Sequence, residues 1–316
     1  MRAIEPITID DIRAARDRIS STITRTPLLR LHVDAPAEIY LKLENLQPIG
    51  SFKLRGATNA IRLLPPESLS RGVYTASAGN MAQGVAWGAR TLGVPCTVVM
   101  PDSAPRTKLE AVARLGAKIV KLSYDEWWQT LADHGREGMD GTFIHPVADR
   151  AVMAGNGTIG LEIVEDLPDV DAVVVPFGGG GLVTGIATAV RALAPRSKIY
   201  GAEVATSTPL SAALRAGKPV AVERTPSFVD GIGGRGLLPE MWPLVSSVID
   251  GAVVAPLADV AAALRLLVER ARVVAEGAGA TSVACALRGS AGHGKIVCVV
   301  SGGNIDTGTL IELLSA

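Results

Sequence analysis

Lys53 stands in the stretch PIGSFKLRG (48–56), behind a glycine, a serine and an aromatic, just inside the start of a predicted helix. A lysine amine attacks an aldehyde only if its proton is lost near neutral pH, which burial beside apolar groups or cationic neighbours can arrange. Taken alone, a helix lysine is ordinarily solvated. Far along the chain, AVVVPFGGGGLVTGIATAV reads as a strand, four consecutive glycines (Gly178, Gly179, Gly180 and Gly181) and then a helix. Glycines let backbone N–H groups crowd round an anion and the helix N-terminus adds partial positive charge, so the natural guest is a phosphate. SAGN (77–80) and SGGN (301–304) each follow a strand with small residues and an asparagine. They offer a hydroxyl, an amide and unhindered backbone donors, suited to a carboxylate or a polar ring atom. Either one alone is an ordinary turn. A phosphate cup, a ring-atom anchor and a lysine together describe a site for pyridoxal phosphate, which needs a phosphate cradle, a Schiff-base lysine and a partner for its pyridine nitrogen.

The glycine run has a rival reading as a dinucleotide site, because Glu203 ends the next strand, KIYGAEV, where a ribose-binding acid belongs. The spacing fails: counted from Gly178, the third glycine of G-x-G-x-x-G falls on Val183. A nicotinamide-dependent oxidoreductase also leaves Lys53 and SGGN without a role. A catalytically silent pyridoxal-phosphate-binding protein would keep every motif and differ only in turnover.

These residues need elements to hold them. Short β-branched runs (EIYLKL, GVYTAS, PCTVVMP, AKIVKL, TFIHP, AVVVPF, KIYGAEV and KIVCVVSGG) alternate with helical patterns such as KLRGATNAIRLL, MAQGVAWGARTLG and LVTGIATAVRALA. Such alternation predicts an α/β fold, a parallel sheet with helices on its faces. Several strands run straight into the glycine-, serine- and asparagine-rich turns, and ligands of open α/β sheets bind at those carboxyl ends. An amphipathic helix capped near Thr8 opens the chain, Pro65 and Pro66 end a helix, and no internal repeat or low-complexity linker is found.

The bulk composition fits. A chain of 316 residues allows two lobes, and 48% hydrophobic content with 4% aromatics and 34 glycines suits tight helix-on-sheet packing by small aliphatic side chains. Lys plus Arg and Asp plus Glu each total 31, with no run of like charge, so neither nucleic acid nor an anionic membrane is the expected partner; a small molecule is. The three cysteines, Cys96, Cys285 and Cys298, lack disulfide or zinc spacing, which suits a reducing cytoplasm. No apolar run reaches the roughly 18 residues that span a bilayer, and the N-terminus lacks a signal-peptide core.

The sequence resembles the threonine and serine dehydratases, with serine racemase, in the fold type II (β-family) of pyridoxal-phosphate enzymes. The likeness runs in order through LKLENLQPIGSFKLRGA (41–57), SAGNMAQGVA (77–86), VMPDSAPRTKLEAVARLGA (99–117), HPVADRAVMAGNGTIGLEI (145–163), GGGGLVTGIA (178–187), EGAGA (276–280) and SGGNID (301–306). It implies the two-lobed parallel-sheet fold of the tryptophan synthase β-subunit-like enzymes, with a large cofactor-binding domain at 1–66 and 148–316 and a small mobile domain at 72–140. It implies that Lys53 carries the cofactor as a Schiff base and moves the substrate α-proton, with Phe52 against the ring. Asn80 would meet the ring hydroxyl, Gly178 to Gly181 and Leu182 the phosphate, and Ser301 the pyridine nitrogen. Glu276 completes the cofactor set. Ser77, Ala78, Gly79 and Met81 would face the substrate. The implied reaction is dehydration of L-threonine or L-serine to a 2-keto acid and ammonia by a cytoplasmic homodimer.

Departures from the family pattern refine this. Met81 replaces a histidine near the substrate, which suits a less polar side chain or is neutral. Ala78 stands where serine racemase places a second acid/base serine, so racemisation should be poor. The divalent-metal site of racemase-like members uses positions Glu203, Ser207 and 209; Pro209 removes a ligand, so no metal is expected. Gly234 occupies the position of a carboxylate-holding serine, and Arg235 beside it reads first as a solvated loop arginine and second as a bidentate carboxylate clamp, which would favour 3-hydroxyaspartate; a bulkier substrate such as phenylserine is another alternative. His145 is expected to shape the hinge between lobes. Biosynthetic threonine dehydratases carry an added regulatory domain for which this chain has no room, so feedback inhibition by isoleucine is not expected.

Overall fold

The structure, a computed structural model, describes residues 3–104 and 106–315. Its strands, in chain order, are β1 (Leu28–Leu31), β2 (Glu38–Leu43), β3 (Val73–Ala76), β4 (Cys96–Pro101), β5 (Lys118–Leu122), β6 (Thr142–Phe143), β7 (Ala172–Pro176), β8 (Lys198–Val204), β9 (Gly251–Ala255) and β10 (Lys295–Val300). Six of them form one sheet in the order β1-β2-β10-β7-β8-β9, and four form a second in the order β5-β4-β3-β6. The second sheet is parallel throughout, whereas β1 pairs antiparallel with β2 at the edge of the first.

The last strand, β10, lies between β2 and β7 in parallel register, with Cys298 opposite both Leu41 and Val174. The two ends of the chain therefore share one sheet, and the SGGN segment leaving β10 emerges beside the segment that follows β2. A bridge between Ser51 and Gly302 and a hydrogen bond from the Phe52 N–H to the Ser301 carbonyl (3.0 Å) join the two segments.

Alternation along β7 explains the layering. Val173 and Val175 pack into the core on one face, Ala172 and Val174 into the core on the other, and all are buried, as the strand of a doubly covered sheet requires. The helix Lys53–Arg62 packs on both Asn80–Leu92 and Arg150–Asp166, so it sits between the two sheets. The N-terminal helix Ile9–Ile19 is capped by Thr8 through a capping box with Asp11.

Differences from the sequence reading are local. β1 and β9 were not among the expected strands: LLRL is a four-residue edge strand with a mixed face, and GAVVA is too short for a periodic signal. The break at Pro65 and Pro66 also starts an element, because Pro66 opens the short helix Pro66–Ser70. The three cysteines are free, and burial pushes the Cys96 and Cys285 thiols up to about 12. Among the described residues no helix is long and apolar enough to cross a membrane.

Candidate active site

A cavity of about 770 Å³ opens between the two sheets, lined at once by Lys53, the glycine run, Asn80, Glu276 and Ser301. Lys53 is the first residue of its helix, and Gly50 turns the chain into that position with φ of +69°. A Cβ at Gly50 would lie 2.8 Å from Asn304 Oδ1, so both the backbone conformation and the close approach require glycine. The Lys53 amine donates to the Pro146 carbonyl at 2.7 Å and lies 5.1 Å from the centre of the Phe52 ring. Burial pushes its pKa down to about 8, against the negative charge of Glu276, which acts to raise it.

Glu276 is buried and accepts two hydrogen bonds from Asn80 Nδ2, at 2.9 and 3.1 Å. Burial raises its carboxyl pKa to about 7, the Asn80 donor working the other way. Asn80 is fixed in turn by Asn304, whose Nδ2 donates to Asn80 Oδ1 at 2.8 Å. SAGN and SGGN, separate motifs in the sequence, thus meet through a single side-chain network. Ser301, at the carboxyl end of β10, is buried against the cavity.

The glycine run shapes the opposite wall. Gly180 has φ of +96°, and a Cβ there would sit 2.5 Å from Val245 Cγ2. A Cβ at Gly179 would meet Val147 Cγ1 at 2.8 Å, and one at Gly181 the Val147 carbonyl at 2.8 Å. These residues lead into the helix Gly181–Leu193, whose first-turn N–H groups have no partner within the helix. The loop is thus packed too closely on Val147 and Val245 to carry side chains, and its bare backbone at a helix N-terminus fits the phosphate of pyridoxal phosphate, with the Lys53 amine and the Ser301 hydroxyl on the same cavity.

Ser77, Ala78, Gly79, Met81 and Leu182 also line the cavity. Gly234 and Arg235 are not among its lining residues: the Gly234 carbonyl accepts from Ser207 Oγ at 2.8 Å, and Arg235 is exposed. In this structure the loop turns Arg235 to solvent, the ordinary place for a loop arginine. Glu203 lies outside the cavity too. Its carboxylate accepts from the Leu210 N–H (2.6 Å), the Ser211 N–H (2.9 Å) and Ser211 Oγ (2.6 Å), capping the helix Pro209–Ala216, so it is not presented to a ribose. Sequence reasoning missed Lys108, Asp230 and Pro146 in the lining. Lys108 pairs with Asp230 at 2.5 Å across the cavity, a contact between distant segments that no local spacing announces.

An amine with a loosened proton, a backbone anion cradle and polar anchors at strand ends define an α/β enzyme built round a phosphorylated aldehyde cofactor. The model of the pyridoxal-phosphate dependent enzyme family matches residues 19–302, and the chain belongs to this family, with pyridoxal 5'-phosphate as its cofactor. It is 42% identical to the L-threonine ammonia-lyase of Thermotoga maritima over 98% of this chain and 78% of that one. It is 43% identical to that of Geobacter sulfurreducens over 95% of this chain and 76% of the relative. The structure of maize serine racemase superposes with a TM-score of 0.89 at 32% identity, covering 98% of both chains.

Proposed function

We propose that the protein is a lyase that dehydrates a small 3-hydroxy amino acid, L-threonine or L-serine, to a 2-keto acid and ammonia. One observation carries this reading: in a chain related to L-threonine ammonia-lyases, a lysine amine with its pKa near 8 shares a cavity with a glycine cradle. When bound, pyridoxal phosphate supplies the electron sink that makes an amino-acid α-proton removable. Lys53 holds the cofactor and, once freed, takes that proton on Nζ. The proton and the β-hydroxyl leave the substrate, and the resulting enamine adds water and releases ammonia, so the net products are keto acid and ammonia. Gly178 to Gly181 and Leu182 would hold the phosphate, Phe52 would cover the ring, Asn80 and Glu276 would hold the ring hydroxyl side, and Ser301 would meet the pyridine nitrogen. A serine hydroxyl there, unlike a carboxylate, would leave that nitrogen largely unprotonated, a weaker sink that would favour prompt loss of the β-hydroxyl. Ser77, Ala78, Gly79 and Met81 form the substrate side.

Racemisation is the second reading, favoured by the likeness to maize serine racemase. It requires a proton donor on the face away from Lys53, and the Ala78 methyl cannot serve as one. Residues 1–66 and 148–316 form the cofactor-holding lobe and 72–140 a smaller lobe that closes over substrate and excludes water. The enzyme works as a homodimer in the cytoplasm. Incubation with L-threonine in D2O tests the reaction. Keto acid and ammonia should accumulate in equal amounts while recovered threonine keeps its configuration; D-allothreonine, the product of inversion at the α-carbon, without keto acid would overturn the assignment.

A further inference from the structure

The geometry points to His145 as a positioning residue for Lys53, an inference that rests on the proposed function. His145 is buried and does not line the cavity. Its Nδ1 accepts two backbone hydrogen bonds, from the Val147 N–H at 3.0 Å and the Ala148 N–H at 2.7 Å. This is the pattern of a helix-capping side chain, accepting from the second and third residues ahead. Asp149 repeats it immediately afterwards, with Oδ1 accepting from the Ala151 and Val152 N–H groups at 2.8 and 3.1 Å. Tandem caps lock the chain from 145 to 152 into one shape.

Two parts of the active site rest on the locked segment. The Pro146 carbonyl is the acceptor for the Lys53 amine at 2.7 Å. The neighbouring Val147 packs its side chain under Gly179 and its carbonyl against Gly181. A single imidazole therefore fixes both the hydrogen-bond partner of the catalytic amine and the underside of the phosphate cradle.

A capping role alone would be served by asparagine or aspartate. The ring explains the histidine: it lies against His134 with centroids 4.5 Å apart and planes tilted by 32°, meets Phe143 edge-on at 5.9 Å, and His134 bonds Glu240 at 3.0 Å. The ring body thus packs in the seam between the two sheets, while its Nδ1 serves the amine. These two tasks can be separated. Asn Oδ1 occupies the place of His Nδ1, so His145→Asn keeps the acceptor and loses the ring; His145→Phe keeps the ring and loses the acceptor.

Both variants are to be purified, checked by thermal unfolding, stripped of cofactor and mixed with pyridoxal phosphate, and the growth of the visible band of the lysine-bound cofactor followed in time. His145→Phe should form the band about 10- to 100-fold more slowly and lose kcat for L-threonine to a like extent with KM little changed, since the group acts on positioning and not on substrate contact. His145→Asn should stay close to the wild type in both. A His145→Phe protein that is folded and forms the band at the wild-type rate would overturn the assignment, as would a His145→Asn protein as impaired as His145→Phe. Failure of the wild type to turn over L-threonine would count against the proposed substrate, and the band-formation rates would still decide the role of His145.

Discussion

Lys53 and Arg55 lie two residues apart on the same helix, the one half-buried at the cavity and the other in the core, and the charge clusters they belong to behave in opposite ways. Arg55 is fully buried and saturated: its Nε and Nη2 grip the Glu44 carboxylate, both at 2.8 Å, and its Nη1 and Nη2 grip Glu162 at 2.6 and 2.9 Å. Lys42 completes the group with a 2.6 Å bond to Glu162. Two positive and two negative charges balance. Burial pushes the Glu162 pKa up, but Arg55 and Lys42 outweigh it and hold the carboxyl below its usual range. Lys53 and Glu276, by contrast, share the cavity without a direct bond, and burial drives their pKa values toward each other, to about 8 and about 7. Saturated buried charge is fixed and holds architecture; incompletely paired buried charge has a mobile proton and can do chemistry.

The sharpest way to break this comparison is to remove one member from each cluster. Lys53→Ala should lower kcat by about 10³-fold or more while leaving the denaturant midpoint nearly unchanged. Arg55→Leu should do the reverse in character, costing about 3–5 kcal/mol of unfolding free energy because Glu44 and Glu162 keep buried, uncompensated charge. Urea unfolding followed by circular dichroism measures both. Gly180→Ala should weaken pyridoxal-phosphate binding by about tenfold, since it forces a side chain into a left-handed backbone and onto Val245; cofactor titration reads it.

A smaller effect tests the electrostatics. On the proposed function the freed Lys53 amine accepts a proton only when neutral, so kcat should rise with pH through an inflection near 8. The charge of Glu276 raises the Lys53 pKa, so Glu276→Gln should move that inflection to lower pH, and a shift to higher pH would contradict the coupling. The linkage to stability has its own sign. A carboxyl held low, as at Glu162, stabilises the fold above its unfolded pKa and loses that contribution on acidification. A carboxyl raised from 4.5 to about 7, as at Glu276, favours the fold while protonated; that contribution is full below the ordinary carboxyl value and is lost as pH rises through about 7. The smallest change is expected at Arg235, where an exposed side chain outside the cavity should leave KM for L-threonine within about twofold on replacement by alanine.

Much of this was legible in the chain itself, for physical reasons. The glycine run announces itself because four adjacent glycines between strand and helix have little other use, and Lys53 and the two asparagine motifs, each ordinary alone, become legible in combination with it. β-branched runs marked the interior strands, since a strand covered on both faces is apolar throughout. The edge strand β1 carries no such signal. Contacts made across the fold were not legible either: the meeting of Asn80 with Asn304, the grip of Pro146 on Lys53 and the Lys108–Asp230 pair depend on the insertion of β10 between β2 and β7 and on the approach of the second sheet. The direction of Arg235 was not legible either, because an arginine in a glycine-rich loop suits a solvated position and a ligand clamp alike, and the residue types do not say which way the loop faces.

The central claim is that Lys53, and no other lysine, is the reacting amine. Borohydride reduction of the holoenzyme followed by proteolysis and mass spectrometry tests it directly, because reduction fixes the cofactor to whichever amine holds it. The expected result is the added cofactor mass on the peptide containing Lys53; the same mass on the peptide of Lys108, the other lysine lining the cavity, would contradict the account.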